Sequence, residues 1–229
     1  MTDFIRFPRT PHLAWSGGTK PRDDKVMSPE AVASFLASPV VVEEKVDGAN
    51  LGLSLADDVL RVQHRGDLVD LAMDRDYPRL AGWLEEHGRE IASIIGPNLV
   101  IFGEWCVLRH SVPYDALPDW FLAFDVYDRN HRRFLASDRR DALIERIGLV
   151  SVPSVSAGCF TIASLRALIG ESRLGPSMME GVVLRREANG WLEARAKLVR
   201  PDFLPADATH WRARRRITNR LATVSKAAV

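Results

Sequence analysis

The feature that most narrows what this chain can fold into is the way its strands come: in hairpins, with helices set between them at irregular intervals. Leu51, Leu53 and Leu55 alternate with small residues up to Asp57-Asp58, and Leu60, Val62 and His64 alternate beyond it. That period of two turns one face of each strand toward a core. Val182–Arg186 and Trp191–Leu198 repeat the pattern across Ala188-Asn189-Gly190, and Leu99–Leu108 and Trp120–Tyr127 read as two more strands. Val40-Val41-Val42 leads into Glu43-Glu44-Lys45-Val46-Asp47-Gly48, a β-branched strand that ends at a turn. Ser28-Pro29-Glu30 opens a short helix, with serine as cap and proline in the first turn. Tyr77, Leu80, Ala81, Leu84, Ile91, Ile94 and Ile95 recur at helical steps until Gly96-Pro97, and 138–147 and 161–169 read as helices opened by Ser137 or Asp138 and by Thr161. The first 39 residues, rich in proline, glycine and charge, read as an irregular lead-in wrapped on the domain. No regular β-α-β alternation occurs, so the fold class expected is α+β, mostly antiparallel sheets with flanking helices.

With 229 residues and 46% hydrophobic content, the chain has material for one sizeable core and excludes a disordered tail protein. No apolar run reaches the roughly 18 residues that span a bilayer, and the opening residues lack a basic stretch followed by an apolar one; a cytoplasmic protein without membrane partners is expected. Cys106 and Cys159 sit beside aromatic or apolar neighbours and read as small buried hydrophobes in a reducing compartment. The net charge of +1 hides an imbalance. Residues 206–229 carry five arginines and Lys226 against Asp207 alone, a net of +5, which leaves −4 for the first 205 residues. Residues 1–205 are therefore expected to form one folded domain, and 206–229 a basic helix or tail, with Trp211, Ile217 and Leu221 roughly on one face. The arginines suit phosphate contacts as well as they suit a solvated helix face.

Several well-marked chemistries are missing: no phosphate-binding Gly-x-x-x-x-Gly-Lys, no Gly-x-Gly-x-x-Gly, no His-Glu-x-x-His, no Cys-x-x-Cys and no Gly-x-Ser-x-Gly. What remains is a dispersed set. Lys45 stands at the end of a strand before Asp47-Gly48-Ala49-Asn50; Arg65-Gly66 closes the next hairpin; Glu104 lies inside an apolar strand; Phe124-Asp125 lies in an aromatic one; Glu180-Gly181 precedes a strand, and Arg195-Ala196-Lys197 occupies the next. Taken singly, each has an ordinary explanation, Lys45 as an exposed turn residue and Glu104 as an edge-strand carboxylate facing water.

In this order the set resembles the covalent nucleotidyltransferase superfamily of ATP-dependent DNA ligases, RNA ligases and mRNA capping enzymes, whose motifs I, Ia, III, IIIa, IV and V match across residues 43–197. Lys-x-x-Gly-x-Asn at 45–50, Pro8-Arg9-Thr10-Pro11-His12-Leu13 and Phe124-Asp125 are most similar to the RNA ligase 2-like group. Asp47, where the phage type member has histidine, brings the motif nearer to the Lys-x-Asp-Gly of DNA ligases and capping enzymes, and Arg195 stands where motif V often begins with lysine. The resemblance implies the ATP-grasp-like adenylation domain of ligases; the residues after Lys197 are too few for the OB-fold that many relatives append.

The resemblance also implies roles. Lys45 is the nucleophile that takes AMP from ATP, and Glu180 serves Mg²⁺ or Mn²⁺. Lys197 and Arg195 contact the phosphates, and Arg65 contacts phosphate or the incoming strand. Glu104 accepts from the ribose hydroxyls, Phe124 stacks on adenine, Glu43 accepts from the adenine amino group, and Asn50 binds near the ribose or phosphates. A free lysine with a pKa near 10.4 is neutral about one time in a thousand at pH 7.5. The expectation is that Lys197, Arg195, Arg65 and bound metal lower that value, while Glu43 and Glu44 oppose them unless paired elsewhere. The implied partner is a nucleic acid with 5′-phosphate and 3′-hydroxyl ends, RNA favoured, with a repair protein as a further candidate. DNA-specific sealing, GTP-dependent capping chemistry and a non-catalytic end-binding subunit are the alternatives.

Overall fold

A computed structural model describes residues 4–15, 26–71, 77–203 and 216–223. Two antiparallel sheets face each other. The smaller has the order β10-β9-β1-β8 and is built from β1 (Val40–Glu44), β8 (Ser154–Gly158), β9 (Gly181–Ala188) and β10 (Trp191–Val199). The larger has the order β3-β2-β4-β5-β6, from β2 (Ala49–Ala56), β3 (Val59–Gln63), β4 (Leu99–Trp105), β5 (Phe121–Asp128) and β6 (Arg133–Phe134), with β7 (Val150–Ser151) parallel to β5. This is the α+β, mostly antiparallel architecture that the hairpin pattern predicts.

The helices cover the outer faces. Helix α2 (Leu80–Ile95) and α3 (Ser137–Ile147) bury Leu80, Trp83, Ile91, Ile95, Ile144 and Ile147 against Leu53, Ile101, Phe121 and Val126 of the larger sheet. Helix α1 (Pro29–Leu36) seats Phe35, and α4 (Ile162–Ala167) seats Leu165, on Val42, Val182 and Leu184 of the smaller one. Caps behave as the sequence suggests at Ser28, whose Oγ accepts from Ala31 N–H at 3.2 Å, and at Thr161, which forms a reciprocal cap with Ser164. Helix α3 differs. Its first N–H is held by the Glu187 carboxylate of β9, which also takes the Ser137 hydroxyl at 2.8 Å, so the cap comes from a distant strand.

Other boundaries shift for local reasons. Tyr77 lies ahead of α2 and spends its hydroxyl on the Asn50 carbonyl at 2.9 Å. The β9–β10 hairpin turns through Asn189 and Gly190, both at positive φ (52° and 76°), a conformation these two residues tolerate. Strand β8, Ser-Val-Ser-Ala-Gly, has no apolar alternation and is recruited by pairing with β1. Cys106 is buried as expected, but Cys159 is exposed because it falls in the loop after β8; both are free thiols.

The lead-in is expected to be irregular and wrapped on the domain, and among its described residues 4–15 run without a regular element, with His12 bridged to the smaller sheet. His12 pairs in parallel with Lys197 at the edge of β10, through Lys197 N–H to the Pro11 carbonyl and Leu13 N–H to the Lys197 carbonyl. Of the basic stretch 206–229, only 216–223 is described, and there the chain is extended, not helical. Ile217 and Leu221 are exposed and Asn219 is buried. Trp211 and the remaining arginines except Arg216 and Arg220 lie outside the described residues.

Candidate active site

The chain changes sheets at the residues the sequence singles out. Strand β1 belongs to the smaller sheet and β2 to the larger, so Lys45–Gly48 is the crossover between them. The cleft between the sheets is lined by Glu43, Lys45, Asn50, Arg65, Glu104, Phe124, Arg195 and Lys197, together with Phe7, Thr10, Asp125 and Arg185. Eight of the nine sequence-derived site residues thus line one cavity. Glu180 joins them through Lys45, whose Nζ donates to Glu180 Oε2 at 2.6 Å.

The crossover is fixed from behind. A Cβ on Gly48 would lie 2.8 Å from the Trp105 carbonyl oxygen, so only glycine lets the turn rest on the end of β4. Asp47 does not face a ligand alone: its N–H donates to the Tyr114 hydroxyl at 2.8 Å, and its Oδ2 accepts from Ser111 N–H (2.7 Å) and Val112 N–H (2.9 Å). The loop after β4 is in turn strapped by 216–223. Asn219 Oδ1 accepts from Tyr114 N–H at 3.0 Å, and its Nδ2 donates to the Cys106 carbonyl at 2.8 Å. Backbone bonds from Arg109, Leu117, Asn219, Arg220 and Ala222 complete the strap. Tyr114 and Asn219 are site-supporting residues that the sequence does not reveal, since their partners are 67 and 105 residues away.

Electrostatics around Lys45 reverse one expectation. Burial acts to lower its pKa, but Glu180, then Asp47 and Glu104, outweigh burial and hold it above the ordinary lysine value. The nearest charges are carboxylates, so Lys45 rests as an ammonium ion. Arg195 is not turned toward it: its guanidinium pairs with Asp125 and lies over the rings of Phe7 (4.7 Å) and Phe134 (4.2 Å). Glu180 is raised by burial, against the pull of Lys45. Glu104 is pushed up to about 8 by burial, which outweighs the pull of Lys45, with Asp47 and Glu180 adding to the rise.

Glu43 and Glu44 are indeed paired elsewhere. Glu43 is buried and ion-paired to Arg140 at 2.5 Å, with Arg185 at 3.9 Å, so its carboxylate is committed within the protein and not left for an adenine amino group. Glu44 accepts from the Ser172 hydroxyl at 2.5 Å. Arg185 also binds Asp125 (2.8 Å), Glu187 (2.6 Å) and the Phe124 carbonyl (3.1 Å), and Arg140 Nη1 reaches the same carbonyl at 2.7 Å. Arg140 also pairs with Asp141 at 2.8 Å, so three arginines and four carboxylates stitch α3, β9, β10 and β1 to β5 directly behind Phe124. Phe124 itself is half-buried, edge-on to Phe7 at 5.1 Å, with its other side on the cleft.

Against this saturated wall, two acceptors in the cleft are idle. Asn50 Oδ1 and Glu104 Oε2 are buried without hydrogen-bond partners, on residues directly opposite each other in β2 and β4. Such atoms cost about 1–3 kcal/mol each when nothing bonds them, so their place is a place for a polar ligand. No group of three or more histidine, cysteine, aspartate or glutamate side chains that could hold a metal occurs among the described residues. Glu180 is the buried carboxylate bonded to Lys45. A single carboxylate fits a hard divalent cation that keeps waters and takes most of its oxygens from phosphates.

Two facing sheets, with a lysine at their crossover and a polar cleft between them, define a nucleotidyltransferase-type α+β domain. The profile of the RNA ligase family matches residues 38–199, most of the chain, and the chain belongs to that family. Among solved structures, Naegleria gruberi RNA ligase with PPi is similar at a TM-score of 0.60 and 20% identity, over 84% of this chain and 60% of that one. A lysine-to-alanine variant of the Naegleria gruberi enzyme with ATP and Mn gives 0.59 and 19%, over 71% and 50%. A lysine-to-methionine variant with AMP and Mn gives 0.56 and 18%, over 72% and 51%. At these identities the likeness is one of fold, and the chain spans between half and three-fifths of the length of these structures. A search of curated proteins found no significant match.

Proposed function

We propose that the protein is an ATP-dependent polynucleotide ligase that seals 5′-phosphate and 3′-hydroxyl ends, with RNA as its substrate, through a lysyl-AMP intermediate on Lys45. The observation that carries this reading is the placement of Lys45 at the sheet crossover, bonded to Glu180 and facing two unsatisfied acceptors in one cleft.

In the first step the Lys45 Nζ lone pair attacks the α-phosphorus of ATP. A P–N bond forms, the bond to the bridging oxygen breaks, and pyrophosphate leaves. The amine must first lose a proton. Glu180 Oε2, 2.6 Å away, is the acceptor that the chain supplies, and the burial that raises its pKa makes it a better base. In the second step a 5′-phosphate oxygen attacks the same phosphorus, returning the amine and forming a pyrophosphate-linked end. In the third, the 3′-hydroxyl attacks the 5′-phosphorus and AMP departs. Splitting one condensation into three displacements is the gain from covalent catalysis.

Asn50 and Glu104 orient the nucleoside: Glu104, protonated up to about pH 8, offers both a donor and an acceptor to the ribose hydroxyls. Phe124 offers its free side to the purine, held in place by the arginine wall behind it. Lys197 and Arg65 supply cations on the cleft wall for the triphosphate. Glu180 would hold Mg²⁺ or Mn²⁺ beside the phosphates, where the cation would offset charge and polarise the phosphoryl oxygens.

The test is ligation of nicked duplexes matched in sequence but built from RNA, DNA or hybrids, with ATP or GTP. Sealing of RNA nicks with ATP is expected. Sealing confined to DNA, or dependent on GTP, overturns the substrate assignment, and end binding without any sealing overturns the enzymatic reading. A cytoplasmic site of action and a repair partner are part of the same proposal.

A further inference from the structure

Outside the cleft, the strongest unexplained charge is at the far edge of the larger sheet. The turn before β6 reads Arg129-Asn130-His131-Arg132-Arg133, and Asn130 through Arg133 are exposed. Two other segments converge on it, Arg139 in the first turn of α3 and Trp191 at the start of β10, whose backbone bridges to Leu135. The Arg139 guanidinium stands 4.5 Å and that of Arg133 5.2 Å from the Trp191 ring centroid, and the His131 ring is 4.8 Å from the same centroid.

What distinguishes this cluster is how its cations are held. The arginines behind Phe124 are neutralised by buried carboxylates; Arg132, Arg133 and Arg139 form no ion pair among the described residues. The nearby acids are otherwise engaged. Asp128 takes the His131 ring nitrogen at 2.8 Å and its N–H at 3.1 Å, Asp138 takes the Arg139 N–H at 2.7 Å, Glu187 is bound by Arg185 and Ser137, and Glu193 faces Arg186 at 3.5 Å. A ring fixes a guanidinium without cancelling its charge, so the forked N–H groups stay ordered and available to an anion. Arg139 is further anchored by Nη1 donating to the Gly190 carbonyl at 3.1 Å.

We propose that Trp191, Arg133 and Arg139 form a phosphate clamp that grips the polynucleotide backbone away from the reacting ends. The inference rests on the ligase reading for its ligand. It gives a mildly acidic body a built grip on a polyanion, on three segments that the fold brings together. The clamp reads neither base nor sugar, because a guanidinium bonded to phosphate oxygens carries no sequence information.

The experiment compares the wild-type chain with the double variant Arg133→Ala, Arg139→Ala and with the double variant Arg133→Lys, Arg139→Lys, binding nicked RNA and nicked DNA duplexes across a salt series. Loss of two phosphate contacts makes the slope of log K against log salt shallower by about 1.8 for the alanine pair, equally on both duplexes. The lysine pair keeps the slope, because charge is retained. Labelling of the protein by ATP alone is unchanged in both variants. An unchanged slope for the alanine pair overturns the clamp, as does a loss seen on RNA alone or a wild-type chain that binds neither duplex. A wild-type chain that binds with the expected slope but takes no label from ATP overturns the ligase reading and leaves the clamp standing.

Discussion

The two walls of the cleft use the same chemical groups to opposite ends. Around Lys45 one cation meets three carboxylates, Glu180, Asp47 and Glu104, and two buried oxygens are left without partners. Behind Phe124 three arginines meet four carboxylates and the bonds close among themselves. The first wall is unfinished by itself and so has something to gain from a ligand. The second is complete and so can only be architecture, fixing the distance between the sheets and the place of Phe124. Charge in a cleft is therefore a poor guide to catalysis until one asks which groups are already satisfied.

The comparison is broken most sharply by substitution on each side. Asp125→Ala strips a carboxylate shared by Arg185 and Arg195 and leaves the buried Arg195 guanidinium without an ion pair; the expected loss is about 3–5 kcal/mol of folding stability, read by denaturant unfolding. An Asp125→Ala protein as stable as wild type would mean that the wall is not structural. Glu180→Gln leaves stability nearly intact and slows adenylation of the protein by about 10²-fold or more. It also removes the first of the carboxylates holding the lysine pKa up, so the pH at which the labelling rate levels off moves down. A shift upward would contradict the electrostatic account.

Glu104→Gln separates stability from function on the unfinished wall. Burial raises the folded-state pKa of Glu104 to about 8, above its unfolded value near 4.3, so its contribution to stability is full below the unfolded value and is lost as pH rises through about 8. The glutamine variant should therefore melt a few degrees above wild type at pH 8 and level with it near pH 4, while binding ATP more weakly. Equal melting at both pH values would show that the Glu104 pKa is not raised on folding. The smallest effect belongs to the strap. Tyr114→Phe removes the acceptor for Asp47 N–H at a cost of about 1–3 kcal/mol, and the labelling rate should fall with KM for ATP unchanged. Asn219→Ala should do the same, whereas a rise in KM alone would place the strap's role in nucleotide binding.

How much of this was readable beforehand follows from the range of the forces involved. The hairpins around Asp57-Asp58 and Asn189-Gly190 and the stripe of α2 are local patterns and are present in the chain much as the alternation predicts. Lys45, Glu104, Phe124 and Lys197, which line one cleft, stand out in the sequence because their order along the chain is itself a pattern. The wall behind them was not, because Arg140 and Glu43 meet across 97 residues, Arg185 and Asp125 across 60, and nothing local marks an arginine as one that will be buried. Arg195 and Glu43 were expected to serve a ligand for the same reason: sequence shows a charge but not its partner. The strap was hidden in a stretch whose arginines suggested only a basic surface, while its one buried residue, Asn219, is an ordinary polar side chain.

The claim on which the rest depends is that Lys45 receives AMP. Incubating the protein with ATP labelled at the α-phosphate, followed by denaturing electrophoresis and peptide mapping, reads this directly. The account predicts a covalent label on the peptide holding Lys45, absent when the label is at the γ-phosphate and absent in Lys45→Ala. Label retained by Lys45→Ala, or mapped to any other residue, would contradict it.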